Sequence, residues 1–111
     1  MSIWQKELPD GTWLIGVQGR LDQSQNLQLE KNLTNLLDEG NSRFIVDLQE
    51  TTYINSGGLR CLVSVWRKAH QREGNLVLCG LNPRLREIFS MVGFDKVFQI
   101  HSDCEAAQQQ T

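Results

Sequence analysis

Apolar residues recur along this chain with two different periods, and the changes of period divide it into elements. Residues 3–8 and 12–18 are short runs rich in β-forming side chains. Pro9-Asp10-Gly11 separates them. In such a turn Pro presets φ, Asp bonds nearby backbone and Gly accepts a positive φ. The pair predicts an antiparallel hairpin. A helical pattern follows, with Ser24 as a capping residue and the element running to about Glu39. Leu27, Leu29, Leu33, Leu36 and Leu37 make its apolar face, and Gly40 suits the left-handed position just past the last turn.

Residues 43–48 (RFIVDL) predict a third strand. Its run Phe44-Ile45-Val46 is what a strand covered on both faces needs. Residues 49–55 predict a loop. A second helix is expected from near Ser56 to about Gln71, with a stripe of Leu59, Leu62, Val63, Trp66 and Ala69. Residues 75–79 (NLVLC) predict a fourth strand. Pro83 suits the first turn of a third helix that buries Leu85, Ile88, Phe89 and Val92, and Gly93 closes it. Residues 97–100 predict a fifth strand, and 102–110 a short last helix with a frayed, Gln-rich tail.

From residue 43 onward strands and helices alternate, which builds a mainly parallel sheet with right-handed crossovers. The expected fold is therefore α/β: a mixed, mainly parallel five-stranded sheet with an N-terminal β-hairpin and about four helices packed on it. No linker or repeat divides the chain, so residues 1–111 are expected to form one domain.

Composition narrows the function. A hydrophobic fraction of 40% supports one core. No apolar run reaches the roughly 18 residues of a membrane span, and the first residues lack the basic and apolar regions of a signal peptide. A cytoplasmic protein without membrane insertion is expected. A net charge of -2 argues against nucleic acid as a partner. Arg67-Lys68 and the Arg84/Arg86 pair read as solvated helix faces. The three cysteines, Cys61, Cys79 and Cys104, match neither a disulfide framework nor a zinc pattern, and are expected as buried or half-buried thiols in a reducing compartment. His70 and His101 have no partner at metal spacing, so no metal site and no cofactor are expected.

The informative segment is Ile54-Asn55-Ser56-Gly57-Gly58-Leu59. It places small and flexible residues at the start of an amphipathic helix, directly after a buried strand. In parallel sheets such positions lie at the carboxyl edge, where sites gather. A helix start offers unpaired N–H groups and a partial positive charge. A phosphate on Ser56 would meet that field, with the backbone of Gly57 and Gly58 free to approach it, and would add about 1.5 to 2 negative charges. Capping of the helix is the alternative role, for which Ser and Asn are both preferred, and capping and phosphorylation can coexist at one Ser.

These residues resemble the STAS domain, the family of sulphate transporter and anti-sigma factor antagonist domains. The resemblance is carried by Gly19-Arg20-Leu21-Asp22, Asp47-Leu48, Tyr53 through Leu59, Leu76-Val77-Leu78-Cys79-Gly80, and Val92-Gly93-Phe94-Asp95. It implies that Ser56 is phosphorylated by a partner anti-sigma factor with serine kinase activity, that a PP2C-type phosphatase removes the phosphate, and that the unphosphorylated form binds the kinase and displaces its sigma factor. It also places Asp22, Asn55, Gly57, Gly58, Leu59 and Arg60 on the partner-binding surface. Asn55 departs from the family, which often has Asp there, and removes a negative charge beside the acceptor. Arg60 stands where a small residue is frequent. It reads first as an exposed helix residue and second as a partner for a phosphate on Ser56.

The expected function is thus a phosphorylation-gated anti-sigma factor antagonist. The competing reading is a phosphorylation-independent STAS subunit of a membrane transport or larger signalling complex. An enzyme is not expected, because no Ser-His-Asp order, metal pair or Gly-rich nucleotide loop is present.

Overall fold

The computed structural model describes residues 2–109. Strands β1 (Ser2–Glu7) and β2 (Trp13–Leu21) form the expected antiparallel hairpin, with Ser2 opposite Gln18 and Glu7 opposite Trp13. The turn behaves as its residues dictate. Gly11 has φ 89°, and the Asp10 carboxylate accepts the Thr12 amide at 3.0 Å. That bond holds the exposed Asp10 carboxyl below its usual pKa.

Helix α1 (Gln23–Asp38) follows β2 directly. Its capping position is Asp22, not Ser24, because the chain turns out of β2 at Asp22, whose carbonyl accepts the Gln25 amide at 2.9 Å. Leu29, Leu33, Leu36 and Leu37 are buried, but Leu27 is 71% exposed and lies off the apolar face. Gly40 takes φ 98°, as expected.

Strand β3 (Arg43–Asp47) runs parallel to β2 along Trp13–Gly16. The segment expected as a loop contains a further strand, β4 (Thr51–Ile54), so the sheet has six strands rather than five. The reason is the length of β2. Its nine residues outrun β3, and its far end, Gly19 to Leu21, pairs with β4. Thr51 is buried and donates its hydroxyl to the Val17 carbonyl at 2.8 Å, which satisfies a polar group that is costly to bury unpaired.

Helix α2 (Ser56–Gln71), strand β5 (Asn75–Cys79) and helix α3 (Pro83–Met91) occupy the expected places. Cys61 and Val65 join Leu59, Leu62 and Ala69 on the buried side of α2, whereas Val63 and Trp66 are only half-buried. Pro83 opens α3 and Asn82 caps it, its side chain accepting the Leu85 amide at 2.8 Å. Val92 lies past the helix end and is 50% exposed, so it is not core.

The expected fifth strand at 97–100 is replaced by a 3-10 turn, Phe94–Lys96, and a two-residue strand β6 (Ile100–His101) beside Leu78 and Cys79. Ring packing explains the change. Phe98 meets Phe89, Phe94 and Trp66 edge to face at 6.1–6.2 Å between centroids. Helix α4 (Cys104–Gln109) ends the described chain, and part of the expected Gln-rich tail lies outside the described residues.

The strand order is β1-β2-β3-β5-β6, with β4 beside the end of β2. A large core, including Leu29, Leu62, Phe89, Leu33 and Leu76, fills one face of the sheet. A smaller cluster of Leu14, Ile45, Val77, Cys79, Cys104 and Ala107 fills the other, under α4. Both faces of β3 and β5 are thus covered, as their unbroken apolar runs require.

Cys79 and Cys104 form a disulfide across this second cluster, with Cα atoms 5.1 Å apart. The expectation of three separate thiols is corrected: only Cys61 is free. Spacing along the chain does not reveal the pair, since α4 brings Cys104 back over the end of β5 only in the folded state.

Candidate functional site

The segment 54–60 spans the end of β4 and the first turn of α2, at the carboxyl edge of the sheet. Asn55 is the capping residue. Its side-chain oxygen accepts the Gly58 amide at 3.0 Å, and its carbonyl accepts the Leu59 amide. Its own amide donates to the carbonyl of Leu21 at 3.2 Å, which locks the loop to the end of β2. Capping therefore falls to Asn55 and not to Ser56. Among the described residues, the Ser56 hydroxyl has no hydrogen-bond partner, and the residue is exposed on the first position of the helix.

Asn26 of α1 supports the cap from below, its amide 2.8 Å from the Asn55 side-chain oxygen. That approach explains the two glycines. A Cβ on Gly57 would meet the Asn26 side chain at 2.8 Å, and one on Gly58 would meet it at 2.9 Å, with Ile54 at 3.0 Å and Leu21 at 3.2 Å. Gly58 is buried, so its smallness serves the packing of α1 against α2. The expectation that both glycines present open backbone is corrected for Gly58.

Asp22 sits at the same edge, one residue past the end of β2. It pairs with Arg20 at 3.1 Å, and Arg20 stacks on the Tyr53 ring at 4.2 Å. This chain of contacts is half-exposed, a setting in which an ion pair contributes about 0 to 1 kcal/mol. It shapes the surface more than it stabilises the fold. Leu59 points inward and is 8% exposed, whereas Arg60 is exposed and, among the described residues, has no ionic or hydrogen-bond partner.

Sequence reasoning missed a groove of about 310 Å³ lined by Ser56, Leu59, Arg60, Val63, Val92 and Phe94. Its lining is mostly apolar, and Met91 beside Val92 is 80% exposed. The signal was Val92, just past the end of α3 and next to Met91, which the helical period assigned to the core. The groove couples the one uncommitted hydroxyl of the loop to an apolar strip. Another cavity, of about 500 Å³, is lined by Trp4, Val17, Gln18, Asp47, Gln49 and Glu50 and does not include Ser56.

The helix α2 has no acidic residue in its first turn, and Lys68 and His70 stand in its last. A negative group at Ser56 would be the first anion in the field of that helix end. Fold and site together define a small mixed α/β domain that presents a free serine at a helix start, on the rim of an apolar groove.

The chain belongs to the STAS domain family, whose model matches residues 4–107. It is 38% identical over 98 residues to BtrV of Bordetella bronchiseptica, described as a candidate anti-sigma factor antagonist, covering 88% of this chain and 84% of that protein. A candidate anti-sigma factor antagonist of Thermotoga maritima has the same fold, with a TM-score of 0.91 at 16% identity over 97% of this chain and 92% of the other. So does the anti-sigma factor antagonist SpoIIAA in its unphosphorylated form, with a TM-score of 0.80 at 17% identity over 98% and 96% of the two chains. At these identities the two structures speak for the fold alone.

Proposed function

We propose that this protein is an anti-sigma factor antagonist whose binding is gated by phosphorylation of Ser56. Unphosphorylated, it binds an anti-sigma factor with serine kinase activity and releases the sigma factor. That kinase phosphorylates Ser56, and a PP2C-type phosphatase reverses the step. The chain acts in the cytoplasm as one domain spanning 1–111, and as a binding module rather than an enzyme.

One observation carries this reading: the Ser56 hydroxyl is exposed and uncommitted, because Asn55 has taken over the helix cap. The apolar groove beside it supplies a contact surface. The exposed Arg60 lines that groove, and Asp22 adds a polar group at the same edge of the sheet. The resemblance to BtrV supports the choice of partner class. A phosphate would place roughly two negative charges on the rim of an apolar patch, where desolvating them against a partner is costly.

The test is incubation with ATP and a cognate kinase, with intact-mass measurement, followed by binding titrations of two variants. One phosphate is expected on the wild type and none on Ser56→Ala. Ser56→Ala should keep wild-type affinity for the kinase, and Ser56→Asp should lose at least about tenfold, equivalent to 1.4 kcal/mol. Equal affinities of the two variants would remove the gate and favour a phosphorylation-independent STAS subunit.

A further inference from the structure

The second face of the sheet carries chemistry that Ser56 does not use. Cys79 ends β5, and Cys104 opens α4. Their disulfide closes a ring across a sequence separation of 25. Cys79 is fully buried, while Cys104 lies nearer the surface at 7% exposure. We propose that this pair is a redox latch: reduction by a dithiol opens it and releases α4 from the sheet, and exchange with an oxidised disulfide closes it again.

Three observations support the latch. The main core contains neither cysteine, and helices α1 to α3 pack on the face of the sheet opposite the bond. Helix α4 is tied covalently to the sheet by it. It has six residues, too few to be stable alone in water, and the buried residues it contributes are Cys104 and Ala107. Its cap, the Asp103 carboxylate accepting the Ala106 amide at 2.7 Å, is exposed and holds the helix turn, not the docking. Under α4 lie Leu14, Ile45 and Val77, which release of the helix would present to solvent.

The exchange balances without any further reactant. A thiolate of the reducing dithiol attacks Sγ of Cys104, in the less deeply buried residue of the pair. A mixed disulfide forms, and the Cys79 sulfur leaves as a thiolate that takes a proton from water. The second thiol of the reductant then attacks the mixed disulfide and leaves as a cyclic disulfide. Cys104 departs as a thiolate and is protonated in turn. Two electrons and two protons pass from the dithiol to the protein.

The same full-length chain tests this without mutation, in oxidised and reduced forms. Maleimide labelling in denaturant, with mass detection, should count one thiol after equilibration with oxidised glutathione and three after a dithiol. Peptide mapping should place the bond between Cys79 and Cys104. Amide hydrogen exchange over residues 104–109 should be at least about tenfold faster in the reduced protein, while α2 is unchanged. Cys104→Ser should exchange like the reduced wild type under both conditions. Three titratable thiols after oxidation, a bond involving Cys61, or equal exchange of α4 in both forms would each overturn the latch. So would a stoichiometric zinc ion retained after reduction, because Asp47, Cys79 and Cys104 place ligand atoms within 4.8 Å of one another and would then form a metal site instead.

Discussion

The side-chain oxygen of Asn55 accepts the backbone amide of Gly58 at 3.0 Å, and this bond decides what Ser56 is free to do. A helix start has orphan amides, and one nearby side chain usually satisfies one of them. Here the residue before the serine does so. The serine hydroxyl is left pointing to solvent instead of folding back on its own helix.

Replacing Asn55 by Ala should cost about 1 kcal/mol of stability, the usual loss on deleting a cap. Asn55→Asp should cost nothing or stabilise by a few tenths of a kcal/mol, because Asp also caps and adds a charge the helix end favours. Urea unfolding of the three proteins checks the order. A larger loss for Asn55→Asp than for Asn55→Ala would contradict the capping role.

Gly58→Ala should destabilise the domain by about 0 to 2 kcal/mol, an overpacking cost of about 1 to 3 kcal/mol offset by the roughly 1 kcal/mol that Ala gains over Gly inside a helix. The added methyl would sit 2.9 Å from Asn26 Oδ1 and 3.0 Å from Ile54 Cγ2. Combining it with Asn26→Ala should recover part of the loss, and a double-mutant cycle in thermal unfolding reads the coupling.

Once Ser56 carries a phosphate, Arg60 lies one turn further along α2 and has no competing partner among the described residues. An anion placed four residues before a cation on a helix gains about 0.2 to 0.5 kcal/mol. The cation favours the dianion, so it lowers the second phosphate pKa from its usual value near 6. Arg60→Ala should therefore raise that pKa by about 0.2 to 0.4 units, since 1.36 kcal/mol corresponds to one unit. Phosphorus NMR titration measures it.

Burial in α2 pushes the Cys61 thiol up to about 12, and Glu30 adds to the effect. At pH 8 it is a protonated, inert thiol. Alkylation of the native protein should run at least about a hundredfold slower at Cys61 than in the unfolded chain. The sign of the linkage follows. Below the ordinary thiol pKa of 9.0 both states keep the proton, and Cys61 adds no pH dependence. Above it the unfolded chain releases the proton first, so stability falls as pH rises from about 9 towards 12. Cys61→Ala should lose that slope in unfolding measured between pH 8 and 10.

Much of this was legible in the chain. The Pro9-Asp10-Gly11 turn, the limits of α2 and the Pro83 start of α3 depend on residues within a few positions of one another, and the structure shows them as expected. Leu27, Val92 and the 97–100 segment were misjudged because apolar character alone does not say which way a side chain faces. Strand β4 escaped notice because four residues, two of them Thr, become a strand only when the overhanging end of β2 offers them a ladder.

Local chemistry by itself determined the hairpin, helices α1 to α3 with the strands between them apart from β4, the family and the serine at the helix start. Period, caps and turns act over three or four residues, and the chain carries them before it folds. Only the tertiary structure decided that Asn26 of α1 packs against Gly57 and Gly58, that Met91 and Val92 face solvent beside a groove, and that Cys79 meets Cys104. Each of these requires groups far apart in sequence to arrive at one place. Packing of the sheet brings them there, and no local pattern records it.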